Sequence, residues 1–264
     1  MRKFKSQVVE DLMMGSFHFP VGDNVIAPYI RSRGIWEPSE HKWLQQNVES
    51  QNSCLNVGAN VGYFTILMSI LAGESGSVTA LEPNKELLPY LRENIESRSI
   101  KNVKIYPYAA GNERKKARFY INRENYGDGR MFDPRLTTGG GDWRTFGFDQ
   151  IPHKTKVQMI RIDDLHLENI DIALIDTQGF DHMVLRGMLE TIKRHPPKIL
   201  TEFIPQWIQD LGENPAEVLK EYKSWGFKVE STDLPELNHL GEVDFIKGIL
   251  RSKSFFTNLA LTPK

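Results

Sequence analysis

Three features of the chain predict an α/β fold, a mostly parallel sheet with helices on both faces. From Ser53 onward, short apolar runs alternate with stretches at helical spacing, the pattern of repeated strand–helix units. A glycine turn, Gly58 to Gly62, separates the first such run from the first helix. A carboxylate, Glu82, ends the following run, 20 residues beyond Gly62. That is the spacing at which an acid at a strand end meets the ribose of an adenosine.

Cys54 to Val57 is a short buried strand. Phe64 to Leu71 is apolar nearly all round and reads as a helix packed deep in the domain, stopped at Gly73. Val78 to Leu81 is a second strand. Leu87, Leu91 and Ile95 recur at i, i+4 and i+8, one stripe of a helix in which Pro89 must lie near the start. Val103 to Tyr106 is the third strand. Ala117, Phe119 and Ile121 alternate with Arg118, Tyr120 and Asn122, a half-exposed strand. Residues 123 to 155 then lose periodicity and carry Gly127, Gly129 and Gly139 to Gly141, which predicts a long loop serving as lid or substrate wall. Ile170 to Ile175 is again a buried strand. Phe180, Val184, Met188 and Ile192 share the stripe of one helix, ended by Pro196 and Pro197, and Ile199 to Phe203 follows as a strand. Asn214-Pro215-Ala216-Glu217 combines an N-cap, a first-turn proline and a capping-box acid, starting a helix that stops at Gly226. Phe227 to Glu230 and Phe255 to Leu261 close the sheet. The first fifty residues show no core of their own, so residues 1–52 are read as a cap on one domain, 53–264.

The 33 basic and 34 acidic side chains leave a net charge of −1. Such a balance lacks the footprint of a general nucleic-acid binder and gives no polybasic reason to sit on a membrane. Phe64 to Ala72, the longest apolar stretch, is far below the ~18–20 residues that span a bilayer. Glu10 and Asp11 interrupt any signal-peptide core, so a cytoplasmic protein without membrane insertion is expected. The single cysteine, Cys54, excludes an internal disulfide and reads as a small buried hydrophobe.

A dinucleotide fingerprint requires a third glycine, but Asn60 and Tyr63 stand at its spacing after Gly58. The turn Asn56-Val57-Gly58-Ala59-Asn60-Val61-Gly62 therefore suits an adenosine cofactor without phosphates, of which S-adenosylmethionine is the common one. At these residues the chain resembles the class I S-adenosylmethionine-dependent methyltransferases, and more narrowly the FkbM family. Asn56 to Phe64 is similar to the family's first motif, Glu82-Pro83-Asn84 to its ribose-binding strand end, and Tyr108 to Gly111 to the segment near the adenine. Asn125 to Arg130 resembles its Asn-x-Gly-Asp-x-Arg box, and Ile175 to Asp181 its Ile-Asp-x-Glu/Gln-Gly-aromatic-acid signature. Thr201-Glu202-Phe203 and the N-terminal Gly34 to Pro38 match further segments, and the resemblance runs over roughly residues 20 to 261. It implies a Rossmann-like seven-stranded sheet and a cofactor site built from Glu37, Asn56, Gly58, Ala59, Asn60, Gly62, Tyr63, Glu82, Pro83, Asn84, Ala109 and Asp176. Two positions depart from the family: Asn56 replaces an acid and Leu174 a lysine.

Methyl transfer to a hydroxyl needs alignment of the reactants and a base for the departing proton. Asp176 and Glu202 fall at carboxyl ends of successive strands, where open α/β sheets place ligands. Asp176 is the first candidate for base or for contact with the cofactor's methionine end, although a helix N-cap uses the same residue type. His182 is the second candidate base; an exposed helix face accounts for it equally well. Arg130, Trp143 and Glu202 are candidate substrate contacts, weighed against a mobile loop and a strand-end acid. No third oxygen ligand stands at a recognisable spacing, so no metal is expected. The reading is an O-methyltransferase acting on a small-molecule or saccharide hydroxyl. An N-methyltransferase of the same fold and a non-catalytic S-adenosylmethionine-binding module stand as alternatives, the latter on account of Asn56 and Leu174.

Overall fold

The structure, a computed structural model, describes residues 5–123, 125–136, 153–252 and 254–264. Strands β1 (Ser6–Asp11) and β2 (Gly15–Pro20) form an antiparallel hairpin, followed by helices α1 (Ile26–Arg33) and α2 (Pro38–Asn47). Sequence periodicity did not mark these four elements. Their inward residues Val9, Phe17, Phe19, Ile26, Ile30 and Leu44 are too widely spaced to stand out, yet all are buried. Asp11 closes the hairpin, its Oδ1 accepting from the N–H groups of Met13 and Met14 at 2.8 Å each.

The next elements, β3 (Ser53–Val57), α3 (Tyr63–Ala72), β4 (Ser77–Leu81), α4 (Leu88–Glu96) and β5 (Val103–Tyr106), follow the expected strand–helix alternation. Pro89 sits in the first turn of α4, where its missing N–H costs nothing. Strands β6 (Ala109–Ala110), β7 (Lys115–Ile121) and β8 (His153–Ile160) then form a separate small sheet in the order β6-β8-β7. Strand β8 begins inside the stretch read as loop. Its Lys-containing first half hid the strand, and only its far end, from Val157 onward, buries apolar side chains. A bridge between Tyr120 and Arg130 continues this sheet along the cavity described below.

After β9 (Ile172–Ile175), the single helix expected over residues 180–192 is two, α5 (Asp181–Arg186) and α6 (Leu189–Arg194). The break falls at Gly187, where a Cβ would lie 1.9 Å from the carbonyl oxygen of Gly111. Backbone meets backbone there, which a side chain forbids. The chain ends with β10 (Lys198–Phe203), α7 (Pro205–Asp210), α8 (Pro215–Ser224), β11 (Phe227–Ser231), α9 (Glu242–Arg251) and β12 (Thr257–Pro263). Asn214 caps α8 as expected, its side chain accepting from the Ala216 N–H at 2.9 Å.

Among the described residues, seven strands form the main sheet in the order β11-β12-β10-β9-β3-β4-β5. Strands β10, β9, β3, β4 and β5 are mutually parallel, and β12 runs antiparallel between β10 and β11. One face buries α3, α4 and the N-terminal elements, with Phe17, Phe19 and Leu44 in the same apolar cluster as Tyr63, Leu67 and Leu91. The other buries α5, α6, α8 and α9, through Val184, Ile192, Leu219 and Ile249. Cys54 is buried, and burial pushes its thiol up to about 12, far from a reactive thiolate. No described helix is long and apolar enough to cross a membrane.

Candidate active site

A cavity of about 720 Å³ opens at the carboxyl ends of β3, β4, β9 and β10. Parallel register delivers its polar residues together. Val57 pairs with both Leu81 and Ile175, and Ile175 with Thr201, so Gly58, Glu82 and Asp176 leave the sheet side by side, next to Glu202 near the end of β10. The turn after β3 is tight because Gly58 and Ala59 both donate their N–H groups to the Leu81 carbonyl, at 3.0 and 2.9 Å. Gly58 has φ 88°, and a Cβ there would lie 1.9 Å from the Asp176 carbonyl oxygen. Only glycine fits between the two strand ends.

Glu82 is 4% exposed. Its Oε2 accepts from the Asn60 N–H and its Oε1 from the Asn84 N–H, each at 2.7 Å. Two backbone donors thus hold the carboxylate, while burial pushes it up to about 7. Pro83, Asn84, Ala59, Asn60 and Ala109 line the cavity beside it. Gly62 does not; it starts α3 at φ 95°, facing Leu91. Asn56 lines the cavity, but its Nδ2 donates to Thr65 Oγ1 at 2.8 Å, which ties the amide to α3.

On the N-terminal side, Tyr63 Oη donates to Asp11 Oδ2 at 2.7 Å and accepts from the Trp36 N–H at 3.1 Å. These bonds join β1, the segment before α2 and the start of α3. They set Glu37 at the cavity wall in a left-handed conformation, φ 40°. Burial, with Asp176, Glu40 and Asp233 nearby, raises the Glu37 carboxyl well above the usual range.

Asp176 lines the cavity at the end of β9, and its Oδ1 accepts from Gln178 Nε2 at 2.7 Å. Burial raises this carboxyl, and the Gln178 amide pulls it back down. Glu202 lines the same wall; its Oε2 is buried and accepts no hydrogen bond. Burial and the neighbouring Asp176, Asp181 and Glu37 raise it well above the ordinary range. Such surroundings favour the protonated form of this carboxyl.

The remaining sequence-based candidates fare differently. His182 does not line the cavity: its ring is 2% exposed, with Nε2 3.9 Å from Glu213 Oε1. Burial drives it down to about 4, so it is neutral and a poor proton acceptor. Arg130 lines the cavity but is 1% exposed. Its Nε donates to Asp128 Oδ1 at 2.5 Å, and its guanidinium lies 3.9 Å from the Trp207 ring centroid. Ion pairing and stacking fix the guanidinium within the wall. Trp143 lies outside the described residues.

The sequence reading missed Trp207, Phe255, Phe256 and Gln178, all on the cavity wall. Gln178 stood inside the quoted signature without a role. Trp207 follows the end of β10 by four residues, a strand-end position that carries a signal in this fold class. Phe255 and Phe256 precede an antiparallel strand, and nothing local points them at the site.

The donor set fits S-adenosylmethionine. Glu82 offers two carboxylate oxygens, already oriented by backbone donors, for ribose hydroxyls. The described wall carries Glu37, Asp176 and Glu202 against one guanidinium that Asp128 engages, a surface suited to a sulfonium and an ammonium and unsuited to a pyrophosphate. Among the described residues, no cluster of His, Cys, Asp or Glu is arranged to hold a metal ion.

Comparison with known proteins gives a consistent picture. A family model described as the methyltransferase FkbM domain matches residues 56–229. Methyltransferase FkbM from Methylobacillus flagellatus KT superposes with a TM-score of 0.48 at 12% identity, over 89% of this chain and 46% of that one. This chain thus spans less than half the length of that protein. A putative rRNA methylase from Clostridium thermocellum superposes with a TM-score of 0.50 at 8% identity, over 85% of this chain and 93% of that one. At such identity the likeness is one of fold. No curated protein matches the chain.

Proposed function

The chain belongs to the FkbM methyltransferase family, and from its site we propose that it transfers the methyl group of S-adenosylmethionine to a hydroxyl of a small-molecule or saccharide acceptor. The observation that carries this reading is the Asp176 carboxyl on the cavity wall at the end of β9, held through its Oδ1 by the Gln178 side chain. When bound, the cofactor supplies an electrophilic methyl group on a sulfonium sulfur. Glu82 binds the ribose, and Ala59, Asn60, Pro83, Asn84 and Ala109 form the wall around the nucleoside. Glu37, on the N-terminal wall of the cavity, places a carboxyl beside the cofactor where Asn56 has only an amide. Asp176 takes the acceptor's hydroxyl proton, and Glu202, with its unpartnered Oε2, hydrogen-bonds a second group of the acceptor. Trp207, clamped by Arg130, keeps the rest of the wall apolar and dry.

A near-zero net charge supports a small acceptor over a nucleic acid. The test is product formation with a panel of polyols, saccharides, amines and a transcribed RNA, read as released S-adenosylhomocysteine and methylated product. Turnover on hydroxyl compounds that falls at least ~100-fold in Asp176→Asn supports the reading. Turnover on amines alone, indifferent to Asp176→Asn, replaces it with N-methylation. Cofactor binding without product on any acceptor makes the chain a binding module.

A further inference from the structure

We propose that Gln178 is a positioning residue for Asp176, holding its carboxyl group by a side-chain hydrogen bond and aiming it into the cavity. The inference rests on Asp176 being the base. Gln178 and Gly179 adopt successive left-handed conformations, φ 52° and 87°, which fold the chain back immediately after β9. The Gln178 side chain is thereby turned over Asp176, with Nε2 2.7 Å from Oδ1. The turn is pinned from both sides. A Cβ on Gly179 would lie 2.5 Å from Trp207, and Asp181 accepts from the N–H groups of Thr177 and Gly179 at 3.3 and 3.2 Å. Gln178 is thus a built contact rather than a chance surface one.

The charged surroundings of Asp176 explain why such a contact is required. Glu37 and Glu40 face it from the α2 side, Glu82 from β4, Glu202 from β10 and Asp181 from α5; Asp128, paired with Arg130, faces it from beyond β7. Burial raises Asp176 toward its protonated form, which cannot act as a base, and any of these neighbours that ionises adds to that effect. A carboxamide NH2 donates more strongly to the carboxylate than to the protonated acid, and so favours the ionised form. A lysine or arginine there would do the same, but would set a positive charge beside a cationic cofactor. A neutral donor avoids that repulsion. In turnover, the proton leaving the acceptor hydroxyl ends on Asp176, and Gln178 neither gains nor loses one.

The test follows the titration of Asp176 in the full chain by NMR of ¹³C-carboxyl-labelled aspartate, the signal being assigned by its loss in Asp176→Asn. In Gln178→Ala the midpoint is expected about one pH unit higher, and in Gln178→Glu higher still. The affinity for S-adenosylhomocysteine, measured by calorimetry at a pH where Asp176 is ionised throughout, stays within about threefold, and the acid limb of kcat/KM moves with the NMR midpoint. Gln178→Glu keeps the side-chain shape and guards against a folding failure of the alanine variant. A midpoint unmoved in both variants overturns the proposal, whatever the kinetics. A midpoint that moves while Asp176→Asn retains full turnover leaves the positioning role intact and removes Asp176 as base.

Discussion

Burial of carboxylates governs the chemistry of individual residues here. Glu82 sits at about 7 in the fold against 4.5 as a free side chain, so the native state binds more protons than the unfolded chain between these values. Stability contributed by this group is present below pH 4.5 and lost as pH rises through 7, on the order of 3 kcal/mol. Cofactor affinity runs the other way, because ribose hydroxyls are accepted best by the ionised form. Calorimetric affinity for S-adenosylhomocysteine should therefore rise from about pH 6 to 8 in the wild type. In Glu82→Gln it should be at least ~10-fold weaker and flat with pH. His182 shows the opposite case. Its folded value near 4 lies below 6.5, so the unfolded chain takes up the proton first and stability falls as pH drops from 6.5 toward 4. His182→Gln should flatten that acid limb in thermal melts while leaving methyl transfer within about threefold, since the ring lies outside the cavity.

The turn between β3 and α3 is the element whose geometry tolerates least. Its glycine at 58 combines a left-handed backbone with an approach to the Asp176 carbonyl that excludes a methyl group. Gly58→Ala should cost at least ~3 kcal/mol in denaturant melts and abolish cofactor binding, because relief of the clash separates β3 from β9. This turn was legible from residue order alone, because glycine spacing between an apolar run and a helix is a local signal. The break between α5 and α6 was not. Its cause is the Gly111 backbone, 76 residues earlier in the chain, and the apolar stripe from Phe180 to Ile192 continues across it without interruption. Strand β8 escaped for a related reason. Most of its first half is polar, and its pairing with β7 is made across a segment of some thirty residues.

Across the molecule, the buried Asp11–Tyr63–Trp36 bonds fasten the N-terminal elements to the cofactor turn. Tyr63→Phe leaves Asp11 Oδ2 and the Trp36 N–H unpaired, at a cost of about 1–3 kcal/mol. The expected outcome is a lower Tm together with weaker S-adenosylhomocysteine binding, since Glu37 hangs from the same segment. A drop in Tm with unchanged affinity would mean that this segment serves the fold alone. Residue order alone was enough for the parallel sheet, the glycine turn and the placing of Glu82 and Asp176 just beyond strand ends, because each depends on neighbours within one strand–turn–helix unit. Three-dimensional packing settled the rest: that His182 lies off the cavity wall, that Arg130 pairs with Asp128 and stacks on Trp207, and that Gln178 meets Asp176. Those outcomes depend on which way a side chain points and on partners far along the chain. Neither is encoded in local periodicity, and both follow only when the sheet brings its strand ends together.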